Sequence, residues 1–284
     1  MRRLGININM TVKELMVSYN DEGPDGVPVV IFIHGFPFNK SMWDLQLRAL
    51  KDTYRVIAYD VRGHGNTDAG TKDFSIELFA EDLLGLMDVL QLDKVVLCGL
   101  SMGGYIALNA IGKYPERFNA LILSDTQCIA DSAESKVKRM AAIEKIKEHG
   151  VEKYAEESIP NFFATASFDT KPAAIAVVKE MILKTSLASL CNTLLALAAR
   201  EETCSKLPKI TVPILILVGE EDKITPPDAA RLMLDKTNDS SLMIIEHAAH
   251  LANLENPHEF NDQLTQFLKR SFPVEPATKN EDHE

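Results

Sequence analysis

A serine with glycine at both second-neighbour positions stands in Gly99-Leu100-Ser101-Met102-Gly103-Gly104. The segment follows an apolar run, Lys94 to Cys98, and precedes an alanine- and leucine-rich stretch, Gly103 to Lys113. A G-x-S-x-G sequence between a strand and a helix holds its serine on a sharp turn with Oγ exposed. The positions two away must lack bulk, because strand and helix approach closely there. An idle serine in a glycine-rich turn is the bland alternative. A serine hydroxyl needs an adjacent base to become a nucleophile, so the rest of the chain decides between them.

His250 lies just after the apolar run Ser241 to Ile245, where a loop can reach back to the serine. His247, three residues earlier, is the rival. His149, His258 and His283 sit in polar helical or tail surroundings. An imidazole acting as base needs a carboxylate to fix its tautomer. Asp222 follows the run Pro213 to Val218, at the strand end where sites on such sheets are built. Asp125 also ends a run and is its rival, while Glu220 and Glu221 read as solvated surface. A tetrahedral oxyanion needs two backbone donors. Met102, directly after the serine, offers one at a helix N-terminus. In His34-Gly35-Phe36-Pro37, Pro37 has no N–H, so Phe36 is the natural second donor.

The elements that must position these groups alternate along the chain. Val29 to Ile33, Arg55 to Tyr59, Lys94 to Cys98, Asn119 to Leu123, Pro213 to Val218 and Ser241 to Ile245 are short, unalternated apolar runs. Such runs predict parallel strands buried on both faces. Leu15 to Tyr19 predicts an edge strand. Between the runs, Ile76 to Leu90, Gly103 to Lys113, Asp228 to Asp235 and Pro257 to Phe267 predict helices. The class is therefore α/β, with a doubly wound, mostly parallel sheet. From Thr126 to about Pro208 no strand pattern appears. Helical patterns fill the interval at Ser135 to Lys147, Val151 to Glu157, Ala173 to Lys184 and Leu187 to Arg200. This predicts an inserted helical cap at 126–204 on a core of 1–125 and 205–273, with a disordered tail at 274–284.

The 284 residues carry a formal net charge of −11, which disfavours nucleic acid and anionic membrane surfaces as partners. No secretory leader, no long apolar span and no metal-ligand spacing is seen. Cys98, Cys128, Cys191 and Cys204 form no CxxC pair and read as four reduced thiols in a reducing compartment; with neither leader nor apolar span seen, a cytoplasmic location is expected.

The HGFP loop, Trp43, the segment Asp60-Val61-Arg62-Gly63-His64-Gly65, the GLSMGGY elbow, the Gly219 to Asp222 turn and His250 occur in the order found in the α/β-hydrolase family. Over roughly residues 15 to 270 the chain resembles the branch holding 3-oxoadipate enol-lactonases, small esterases and cofactor-free haloperoxidases. The resemblance implies a triad of Ser101, Asp222 and His250, an oxyanion hole at Phe36 and Met102, and no cofactor. It also implies bracing roles for Asp60, Arg62 and His64. An aspartate nucleophile, as in epoxide hydrolases and haloalkane dehalogenases, is absent, as is the HGGG loop of some lipases. The expected activity is hydrolysis of a small neutral or weakly anionic ester, with the enol-lactone as a named candidate; Trp43, Phe162 and Phe163 are candidate apolar walls, and Arg139 or Arg200 candidate partners for a substrate carboxylate. Perhydrolysis would use the same residues. A non-catalytic receptor would need none of them together. The sequence leaves oligomeric state open.

Overall fold

The structure, a computed structural model, describes residues 5–273; the expected tail at 274–284 lies outside the described residues. Eight strands form one sheet: β1 (Gly5–Val12), β2 (Leu15–Glu22), β3 (Val29–Ile33), β4 (Arg55–Tyr59), β5 (Val95–Leu100), β6 (Phe118–Ser124), β7 (Ile214–Gly219) and β8 (Ser240–Ile245). Their order is β1-β2-β4-β3-β5-β6-β7-β8. β1 and β2 pair antiparallel, β2 meets β4 antiparallel, and every later pairing is parallel.

Alternate residues of the central strands feed two separate cores. Ile31, Ile33, Leu97, Leu121 and Leu123 face α2 (Ile76–Val89) and α3 (Met102–Lys113). Val30, Phe32, Val96, Cys98 and Ile122 face α1 (Asp44–Leu50) and, near the chain's end, α10 (Pro257–Ser271). Both faces are covered, which is why these strands read as continuous apolar runs. The sequence reading assigned no strand at β1, although Ile6, Ile8, Met10 and Val12 recur at every second residue, the period of a half-buried edge strand. The helix α1 is only seven residues and carries too short a period to read.

Between β6 and β7 lie only helices: α4 (Ala133–Phe162), α5 (Ser167–Thr170), α6 (Pro172–Leu183) and α7 (Leu187–Ala199). Two helices were expected where α4 runs. They are continuous in pairing but break at Gly150, whose φ of 82° suits glycine. Ser132 caps α4 by accepting the Ser135 N–H at 3.1 Å. After β7 come α8 (Pro227–Lys236) and, beyond β8, α9 (Ala252–Glu255).

The expectation of four reduced thiols fails for one pair. Cys128 and Cys204 form a disulfide across a sequence separation of 76, leaving Cys98 and Cys191 as buried thiols. The two cysteines lie where the chain leaves β6 and returns toward β7, and those strands are neighbours. Sequence spacing alone could not bring them together. The cytoplasmic expectation loses one of its supports, the four reduced thiols. In the chain-entropy account, closing a loop of this length contributes about 4 kcal/mol, of which engineered bridges commonly deliver less. Replacing both cysteines by serine is expected to lower the melting temperature by about 5–10 °C. Calorimetry of the double variant checks this, and an unchanged melting temperature would refute it. Among the described residues, no single helix is long and apolar enough to cross a membrane.

Candidate active site

Ser101 sits between β5 and α3 with φ 53° and ψ −112°, a conformation that costs a non-glycine residue on the order of 1–3 kcal/mol. Its surroundings hold it there. The Ser101 N–H donates to Ser124 O at 2.9 Å, and its carbonyl accepts from Gly104 N–H at 2.9 Å and Thr126 Oγ1 at 2.8 Å. The flanking glycines are obligatory. A Cβ on Gly99 would lie 2.3 Å from Gly103 O, and one on Gly103 would lie 2.1 Å from Ile33 O.

His250 is buried on the loop between β8 and α9. Its Nδ1 lies 2.9 Å from Asp222 Oδ2, which leaves Nε2 as the free ring nitrogen. Asp222 is fixed in turn. Its Oδ1 accepts the N–H groups of Ile224 and Thr225 at 2.8 and 3.1 Å, and its Oδ2 accepts the Thr225 hydroxyl at 2.7 Å. Burial alone would lower the imidazole pKa. The Asp222 carboxylate, with Asp125 and Glu255 behind it, raises it above the ordinary value. Burial likewise opposes ionisation of Asp222, and the charge and hydrogen bond of His250, with Thr225, hold its pKa low.

The two rivals are placed elsewhere. His247 is exposed at a turn with φ 56°. Asp125 is buried and accepts from Gly219 N–H at 2.8 Å and Ser124 Oγ at 2.7 Å, not from His250. Burial and the nearby Asp222 charge push its carboxyl well up.

The loop after β3 passes close over the serine. A Cβ on Gly35 would come within 3.3 Å of Ser101 Cβ. His34 anchors this loop from below: Val61 N–H donates to its Nε2 at 2.9 Å, so Nδ1 carries the proton and donates to Gly35 O at 2.8 Å. Burial, with the neighbouring His64, holds His34 neutral. Among the described residues neither Phe36 N–H nor Met102 N–H meets a protein acceptor. Asp60 braces the same region, accepting from Lys40 Nζ at 2.7 Å and Asn66 N–H at 2.9 Å, and Arg62 pairs with Asp82.

Ser101, His250, Phe36 and Met102 share a cavity of about 620 Å³ whose opposite wall is α4. Phe162 lines it and stacks on the His250 ring, centroids 6.2 Å apart. Two expected wall residues do not reach it. Trp43 is fully buried between Phe32 and Phe260, because its position at the start of α1 points it into the lower core. Phe163, one residue past the end of α4, turns away from the cavity and packs on Phe168. The sequence reading missed Tyr154, which lines the cavity beside Phe36, and Glu255. Tyr154 was missed because which residues of α4 meet Phe36 depends on the helix's orientation over the site. Glu255 belongs to no motif in the sequence, and only its contacts across the fold single it out.

A family model for the alpha/beta hydrolase family matches residues 30–263. A 3-oxoadipate enol-lactonase from Acinetobacter baylyi is 27% identical over 264 residues, covering 92% of this chain and 96% of its own. A putative non-heme chloroperoxidase from Synechocystis is 30% identical over 89% of this chain and 95% of its own. Among solved structures, a thermophilic esterase from Thermogutta terrifontis with malate bound superposes with a TM-score of 0.87 at 34% identity, covering 96% of this chain and 100% of that one. The enol-lactonase of Burkholderia xenovorans gives 0.86 at 26% identity, covering 92% and 100%. With the strained serine turn, the sheet order and a match across most of its length in agreement, the chain belongs to the alpha/beta hydrolase family.

Proposed function

We propose that this protein hydrolyses a small carboxylic ester or lactone through an acyl-enzyme on Ser101. The observation that carries the reading is the linked set Asp222–His250 beside a serine held at φ 53° under two uncommitted N–H groups. Binding alone requires none of these together. His250 Nε2 takes the Ser101 proton as Oγ attacks the carbonyl carbon. The Phe36 and Met102 N–H groups hold the oxyanion, and the His250 imidazolium protonates the leaving oxygen. Water, losing its proton to the same imidazole, then attacks the acyl carbon; the imidazolium returns that proton to Ser101 Oγ as the acyl–oxygen bond breaks and the acid leaves. Peroxide in place of water would give a peracid by the same steps. Mixing with p-nitrophenyl acetate and quenching in acid is expected to leave an acetyl group on the peptide bearing Ser101. Acetylation elsewhere only would remove the mechanism.

The substrate's acyl or alcohol part meets a basic wall in an acidic protein. Lys138, Arg139, Lys145 and Lys153 line the cavity against Asp131 and Glu157. Arg200, the other expected cation, is buried and stacked on Tyr105 at 4.3 Å. It shares the Asp131 carboxylate with Arg139, so one carboxylate serves two guanidiniums. Arg139 Nη1 is committed to no protein acceptor among the described residues. This favours esters or lactones that carry a carboxylate, the feature the enol-lactone candidate has. Arg139→Gln is expected to raise KM for mono-p-nitrophenyl succinate about five- to tenfold, with p-nitrophenyl butyrate unaffected, the scale of one partly exposed charged contact. Equal changes for both esters would remove the anionic class.

A further inference from the structure

Glu255 is 1% exposed, yet it belongs to neither the nucleophile, the base nor the acid. Its Oε1 accepts the N–H of Ala249, the residue before His250, at 2.7 Å. Its Oε2 accepts two groups from the cap: the Ala164 N–H at 2.7 Å and the Ser167 hydroxyl at 2.6 Å. The Ala164 anchor lies two residues beyond Phe162, whose ring stacks on His250. The connections form a closed circuit. It runs from the imidazole through Ala249 to Glu255, across to Ala164, and back through Phe162 to the imidazole. A carboxylate is the one side chain whose two oxygens can each accept on opposite sides without offering a donor.

We propose that Glu255 is a positioning residue that fixes the catalytic-base loop and the cap to one another, so that the cap's seating sets the placement of His250. The inference rests on His250 being the base of the proposed reaction. Its geometric content, a coupling between cap and loop, does not depend on turnover. A displaced cap pulls on Ala164 and Ser167, and the only buried link from there to the His250 loop among the hydrogen bonds of the described residues is this carboxylate. Substrate entering beneath α4 therefore meets a base whose position depends on whether the cap is seated.

The charge matters as well as the shape. The charged group in contact with the His250 ring is Asp222 from the loop after β7, and the fields of Asp125 from the end of β6 and Glu255 from α9 reach it as well. From the cap, the Phe162 ring stacks on it. All three carboxyl groups raise the imidazole's affinity for a proton. Removing the Glu255 charge at constant shape moves the His250 titration to lower pH, whereas general loosening of the fold would expose the ring without that direction.

Glu255→Gln and Ser167→Ala in the full chain test this. A glutamine in either orientation turns an N–H group toward one arm of the link, and a buried donor without an acceptor raises local opening about tenfold or more. Amide exchange at Ala249 and Ala164 is expected to speed up together in Glu255→Gln. NMR of the ring in a Ser101→Ala background is expected to show His250 titrating at lower pH. Ser167→Ala touches only the cap, keeps the charge, and is expected to speed exchange at Ala249 as well as at Ala164, with the titration unmoved. Faster exchange at Ala164 alone in Ser167→Ala would overturn the coupling, as would an unshifted His250 titration in Glu255→Gln. Loss of the Ser101 acyl-enzyme with the exchange coupling intact would instead overturn the proposed reaction.

Discussion

Ser101→Ala is expected to lower kcat/KM for p-nitrophenyl acetate by about 10⁴- to 10⁶-fold, the scale on which removal of a triad nucleophile acts. Stability should change by less than about 0.5 kcal/mol, as for substitutions that remove no packing or cap. The reason is local. Ser101 Oγ makes no hydrogen bond to the described residues, and the backbone bonds to Ser124, Gly104 and Thr126 survive the change. Alanine inherits the same strained φ and ψ, so none of the strain is released. The strain itself is measurable through Ser101→Gly. Glycine tolerates the conformation and is expected to melt higher than alanine there while being equally inactive. Progress curves and thermal melts of the three proteins check both halves. Equal turnover by wild type and Ser101→Ala would dismiss Ser101 as nucleophile and revive a receptor that keeps the scaffold without the chemistry.

The parts of this site that were legible in the sequence are those whose constraint is local. Gly99 and Gly103 announce themselves because a Cβ at either would strike backbone within 2.3 Å. The Asp222–His250 pairing could be anticipated because both residues lie on loops that follow strands of a parallel sheet, and strand ends converge on one edge. What was illegible depends on crossings between distant segments. The Cys128–Cys204 bridge needs β6 and β7 to be neighbours. Glu255 needs the cap to return to the loop beyond β8, a separation of 91 residues for its bond to Ala164. Trp43 misled for a related reason. An aromatic soon after the HGFP loop has the right address for a pocket, but the short helix that follows turns it under the sheet against Phe32 and Phe260. A residue's distance along the chain from the site says little about which side of a helix it occupies.

The choice between the two buried aspartates is the sharpest test of how the proposed base, His250, is held. Asp222→Asn is expected to reduce kcat by about 10³- to 10⁴-fold, because an amide can stabilise the wrong imidazole tautomer and cannot stabilise the imidazolium. The pH profile should move with it. His250 has a raised pKa because Asp222, Asp125 and Glu255 together outweigh its burial. With the nearest charge gone, burial regains ground and the imidazole stays neutral to lower pH. The acid limb of kcat/KM should therefore shift to lower pH while its plateau falls. Asp125→Asn should behave differently. Asp125 contacts Gly219 and Ser124 rather than the ring, and its carboxyl is already pushed toward the protonated form. An amide there keeps an acceptor for the Gly219 N–H, so activity should fall less than about tenfold, the scale of one neutral hydrogen bond perturbed. If the two variants exchanged these effects, the acid would belong at the end of β6 and the Asp222–His250 contact of 2.9 Å would be a structural pairing only. If both were severe, the carboxyls would act as one coupled pair, and the raised proton affinity of Asp125 would be part of how Asp222 keeps its charge.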